Sequence, residues 1–152
     1  MGLKAWFFQR SLNKGRSNLR STLKKLIPAA DAAWDETERC LMAEFWPVPN
    51  PDPNVHTYQK QLLEDLVVWK GQLSDQEAVE LIGAEVQGAG VGAKMAVRHV
   101  VISQWPKHGK PVITQAEMEK ILGSRDEDIK RIEWVQQYAL RHVAREQAGE
   151  KK

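Results

Sequence analysis

Histidines at 56, 99, 108 and 142, tyrosines at 58 and 138, and the single Cys40 are the side chains of this 152-residue chain best suited to chemistry. His99 and His108 flank a turn and could both face one ligand. No HExxH or CxxC spacing accompanies them, so the residues for a metal site are not assembled in the sequence. Ser103 has no base at hand, and Asp and Glu are absent from 86 to 116, which leaves paired-carboxylate catalysis without a location there. Cys40 has no partner for an internal disulfide and lies within a helical pattern, so it reads as a small buried hydrophobe. The chain is therefore expected to be non-enzymatic, with no catalytic residues, metal, cofactor or small-molecule substrate.

The chemistry the sequence does carry is charge. A net charge of +2 hides an uneven distribution. Residues 1–30 contain Lys4, Arg10, Lys14, Arg16, Arg20, Lys24 and Lys25 and no acid. A second acid-free window, 86–116, holds Lys94, Arg98, Lys107 and Lys110 with His99 and His108. Concentrated positive charge attracts polyphosphate, so Arg10, Lys14, Arg16, Arg20, Lys24, Lys25, Arg98, Lys107, His108 and Lys110 are the expected contacts for nucleic acid or an acidic protein partner. The competing reading is a pair of solvated basic faces balanced by acidic ones elsewhere.

The elements that must position these residues follow from periodicity. Residues 3–12 suit a short helix that Gly15 breaks, and Ser17 then caps a helix with Leu19, Leu23, Leu26 and Ile27 on one face. Lys24 and Lys25 would sit at its C-terminal end, where the helix dipole welcomes cations. Pro28 suits the first turn of a further helix, 29–46, with Ala30, Trp34, Thr37, Leu41 and Phe45 inward. Its acids Asp31, Asp35, Glu36, Glu38 and Glu44 are placed to pair with the basic helix before it. The alternate prolines of "PVPNPDPN", 47–54, set a stiff extended connector. Beyond it, Tyr58, Leu62, Leu66 and Trp69 share a helical face. Capping-box pairs Ser74/Glu77, Thr114/Glu117 and Ser124/Glu127 open three more helices. The last, about 125–146, turns Ile129, Ile132, Val135, Tyr138, Ala139, His142 and Val143 inward. "GAGVG", 88–92, is a flexible break without the Lys-Ser/Thr of a phosphate loop. The six tryptophans read as packing anchors.

Residues 96–105, "AVRHVVISQW", are rich in β-branched side chains and favour a short strand that Pro106 ends. With its flanks "EAVELIGAEVQ", "PKHGKP" and "TQAEMEKIL", this stretch resembles part of the relaxases that nick plasmid DNA during mobilisation, over 77–122. That resemblance implies a nucleic-acid setting on a mobile genetic element. It does not imply nicking, because the family's tyrosine nucleophile and His-x-His metal ligands have no counterparts among Tyr58, Tyr138 and the four histidines. Read instead as helix-turn-helix, 115–132 would place Asp126, Glu127 and Asp128 against DNA phosphates, so a helical hairpin that enters no groove is the expectation.

The fold class that follows is mainly α: a single-domain bundle of five or six helices with at most one short strand or hairpin near 96–105. It divides into a basic then acidic part (1–46), the connector (47–54), a helical part (55–146) and a disordered tail (147–152). No apolar run reaches the roughly 18 residues of a membrane span, and "MGLKAWFFQR" lacks a secretory signal, so no membrane partner and a cytoplasmic location are expected. The function expected is a non-catalytic accessory role on nucleic acid or a nucleoprotein complex. The alternative is a helical protein-binding module, a small subunit or inhibitor of such a complex.

Overall fold

A computed structural model describes residues 2–42, 53–68, 74–123 and 126–150, and among these the regular structure is six helices and no strand. They are α1 (Leu3–Met42), α2 (Pro53–Val68), α3 (Asp75–Val86), α4 (91–108), α5 (Gln115–Ile121) and α6 (Asp126–Glu150). Residues 47–52 of the expected connector lie outside the described residues, as do Phe45, Trp69 and Ser124, while Pro53 and Asn54 already belong to α2. Residues 147–150, expected as tail, continue α6.

α1 is the spine on which α2, α3, α4 and α6 pack. Neither expected break interrupts it. Leu19, Leu23, Leu26, Ala30 and Leu41 are buried along one continuous stripe that runs past Pro28. Pro28 itself is exposed, so its ring and the missing N–H fall on the outer side while packing holds the inner one. Gly15 is buried one turn before Leu19, a small residue on the packed face rather than a stop. Truncating Leu19, Leu23 or Leu26 would remove a fully enclosed side chain, a change that costs about 2–5 kcal/mol. Leu62 and Leu66 of α2 and Ala78, Val79, Ile82 and Val86 of α3 complete this core. Cys40 is buried, as its pattern implied.

The strand expected at 96–105 is instead the middle of α4. Ala93, Val97, Val100, Val101 and Trp105 are all essentially inaccessible to solvent, and their spacing of three and four residues is helical. That period outweighs the β-propensity of single residues. α4 begins as α-helix (Val91–Arg98), widens to π-helix over His99–Gln104, and closes with one α turn (Trp105–His108). Trp105 N–H donates to the Val100 carbonyl, one residue farther back than in an α-helix. Pro106, which has no N–H to give, then falls in the first positions of the closing turn, where none is required. Gln59 of α2 donates to the Ala96 carbonyl at 3.0 Å.

"GAGVG" is a docking point, not a flexible break. Asp31 of α1 accepts from the backbone amides of Gly90 and Ala93, 3.0 and 2.8 Å away, and so caps α4 from another helix. Side-chain caps also open α3 and α5, where Ser74 and Thr114 accept from the amides of Glu77 and Glu117. Gly92 admits the closest approach of α4 to α1: a Cβ there would stand 2.3 Å from the Ala30 carbonyl oxygen.

The two C-terminal helices do not form the expected hairpin core. α5 packs on α3 and the π-helical part of α4, burying Met118 and Leu122, whereas α6 packs on α1 and α4. Of the described side chains in the stripe expected to face inward on α6, only Val135 is buried; Ile132, Tyr138 and Ala139 are half-buried, Ile129 and Val143 are exposed, and the side chain of His142 lies outside the described residues. Tryptophans divide likewise. Trp105 is enclosed, Trp34 half-buried and Trp134 exposed.

Candidate nucleic-acid interface

Because α1 continues through Pro28, Lys24 and Lys25 lie near the middle of a 40-residue helix. The dipole at a helix C-terminus no longer accounts for them, since that field fades within the last turn. Arg16, Arg20 and Lys24 recur every fourth residue, with Ser17, Ser21 and Lys25 in the adjoining row. These six side chains line one open concavity on the surface. From 16 to 25 the rows extend about 13 Å, equal to the axial rise of roughly four nucleotides on one strand of a duplex. Two serine hydroxyls among four cations supply hydrogen-bond donors for phosphate oxygens.

Part of this charge is met internally. Arg16 pairs with Glu77 at 3.2 Å and Arg20 with Glu85 at 4.0 Å, both glutamates on α3. All four side chains keep a third or more of their surface in water, so each pair is weak and exchangeable. Lys14, Lys24 and Lys25 are exposed and make no ion pair among the described residues. The side chain of Arg10 lies outside the described residues, although its backbone is part of α1.

The second acid-free window is scattered. Arg98 is half-buried and donates to the Leu122 carbonyl at 3.3 Å. Lys107 and His108 are exposed on the closing turn of α4, and Lys110 is exposed with a left-handed φ of 42°. Lys94 has a structural role: it is buried and pairs with Asp128 at 2.6 Å, joining α6 to α4. His99 shares a hydrogen bond with Gln104 at 3.2 Å. No group of three or more His, Cys, Asp or Glu side chains comes together among the described residues.

The acidic half of α1 turns forward, not back onto the basic half. Arg131 of α6 clasps Glu38 with both arms of its guanidinium, at 3.1 and 2.7 Å, and this hydrogen-bonded partner raises the Arg131 pKa further. Asp35 lies 3.7 Å from the same guanidinium. Trp34 donates its indole N–H to Glu38. Asp31 thus fastens α4, and Asp35 and Glu38 fasten α6, while Glu36 pairs with Arg39 within α1. Sequence reasoning missed these long-range pairs because nothing local marks a partner more than fifty residues away. In comparisons with protein families, curated proteins and solved structures, nothing matches this chain.

Proposed function

We propose that this chain is a non-catalytic accessory protein that binds nucleic acid, or a nucleoprotein complex, through the basic face of α1. The observation that carries the proposal is the placement of Lys24 and Lys25. They stand exposed mid-helix, lack a carboxylate partner among the described residues, and share one concavity with Arg16, Arg20 and two serines. Such a face contacts the phosphate backbone and reads no base edges, so binding is expected to be largely independent of sequence. The mobile-element setting rests on the relaxase resemblance of 77–122 alone. Lys107, His108 and Lys110 form a secondary contact at most, since they lie apart from the α1 concavity.

The test is titration of the protein with duplex DNA and with single-stranded RNA at ~50 mM salt, where phosphate contacts are least screened. Binding that weakens steeply with added salt is expected. Absence of binding to both polymers would overturn the proposal and favour the alternative, a protein-binding module of a larger complex. A specific observation supports that alternative: Arg16 and Arg20 already take carboxylates of α3 as partners, so an acidic protein surface suits the same face.

A further inference from the structure

We infer that α6 carries a stacking site for single-stranded nucleic acid, separate from the basic face of α1, with Trp134 as the platform for an unpaired base. Trp134, Tyr138 and Arg141 follow one another at steps of four and three residues, which sets them in one row along the helix. The ring centroids of Trp134 and Tyr138 are 5.1 Å apart, and the guanidinium carbon of Arg141 lies 6.0 Å from the Tyr138 centroid. Tyr138 is half-buried, braced between these neighbours, whereas Trp134 and Arg141 are exposed. The body holds a different side of α6: buried Val135 and the Asp128 that pairs with Lys94 lie about 100–120° round the axis from Trp134.

The charge around this row fits a polyanion. Lys130 precedes Trp134 by about one turn and Arg145 follows Arg141 by about one turn, on the same side of the helix. Lys130 and Arg141 are exposed and make no ion pair among the described residues. Glu127 heads this side, and no acid follows it there as far as Arg145, since Glu133 lies about 100° round the axis from Trp134. Arg131, on the flank, is committed to Glu38.

Cations at either end of an exposed aromatic row suit a single strand in particular. The cations hold phosphates, and a ring accepts the face of any base, so no sequence is read. A duplex cannot use Trp134 in this way, because the faces of its bases are covered by their neighbours. An apolar protein surface would fit the rings but would have to strip water from the cations beside them, which costs free energy. From 130 to 145 the row is about 22 Å long, enough for a short single-stranded segment.

The full chain is titrated with a thymidylate oligomer of about 15 nucleotides and with a duplex of equal length at ~50 mM salt. Trp134→Leu, which keeps an apolar side chain but offers no π-face, should weaken oligomer binding about tenfold and duplex binding less than about twofold. Trp134→Phe should bind the oligomer nearly as well as the parent. Arg141→Gln, at an exposed position, should weaken oligomer binding about threefold with the fold intact. An oligomer carrying 5-iodouracil should photo-cross-link to the tryptic peptide 132–141, whose only aromatic residues are Trp134 and Tyr138. At saturating oligomer it should still do so when Arg16, Arg20, Lys24 and Lys25 are glutamine, so that this site and the α1 face stand or fall separately. No binding of the oligomer would overturn the proposal. So would equal losses for oligomer and duplex in Trp134→Leu, a Trp134→Phe protein no better than Trp134→Leu, or cross-links that all fall outside 132–141.

Discussion

The carboxylate of Asp31 and the amide of Gly90, 59 residues apart, meet at 3.0 Å, and through this contact α1 sets where α4 begins. The second oxygen of Asp31 takes the Ala93 amide. Removing both bonds with Asp31→Ala should cost about 1–2 kcal/mol, the upper range for losing a side-chain helix cap. Gly92→Ala should cost about 1–3 kcal/mol by forcing a methyl against the Ala30 carbonyl, a backbone atom that cannot swing aside. Urea unfolding of the two variants checks both values. An Asp31→Ala protein as stable as the parent would mean that the cap is formed but contributes nothing.

The Lys94–Asp128 pair should behave asymmetrically. Lys94 is 6% exposed and Asp128 14% exposed, so deleting the acid strands a buried ammonium group. Asp128→Ala should cost about 3–5 kcal/mol, whereas Lys94→Met leaves a carboxylate in the first turn of α6, where the helix dipole still favours it, and should cost less. Equal losses in the two variants, measured by thermal unfolding, would contradict this account.

These contacts explain what the sequence displayed and what it concealed. The inner faces of α1 and α2 were visible as three- and four-residue spacing at Leu19, Leu23 and Leu26 and at Leu62 and Leu66. The capping pairs Ser74/Glu77 and Thr114/Glu117 were visible too, while Ser124 of the third pair lies outside the described residues. Pro28 misled because a proline at a helix start and one on the outer side of a long helix look alike until the stripe is followed past it. Residues 96–105 misled because β-branched composition was weighed above the 93, 97, 100, 101, 105 spacing. The basic row at 16, 20, 24 and 25 could be read directly. That Glu77 and Glu85 partly neutralise it could not, because ion pairs across 61 and 65 residues leave no local trace.

Asp65 gives the fold a pH dependence of known sign. Burial raises its pKa above the ordinary 3.8, opposed by a 2.7 Å hydrogen bond from the buried Thr22 hydroxyl. A raised carboxyl favours the fold when protonated. Its contribution is complete below 3.8 and is lost as pH rises through the shifted value. Asp65→Asn should therefore gain stability relative to the parent between about pH 3 and pH 7. Urea midpoints at several pH values give the comparison, and a constant difference across that window would contradict it.

The α3 glutamates provide the sharpest test of the proposed binding face. Replacing Arg16, Arg20, Lys24 and Lys25 with glutamine should weaken binding to every sequence alike and flatten the salt slope, each lost phosphate contact removing roughly 0.9 from it. Loss of binding alone could also follow from a disturbed α1, so a variant that strengthens binding is more informative. Glu77 and Glu85 touch the bound cations from the side and would lie near the incoming phosphates. Glu77→Gln with Glu85→Gln should release Arg16 and Arg20 and remove two repelling charges. Affinity should rise about threefold to tenfold at ~50 mM salt and converge on the parent's as salt increases, because exposed charges act only within a screening length of ~10 Å at 0.1 M. Little loss of stability is expected, since pairs this exposed contribute ~0–1 kcal/mol. An acidic protein partner would gain from the same change, so the measurement is made on isolated protein with duplex DNA. Unchanged or weaker DNA binding by the double glutamine variant would remove α1 as the contact face.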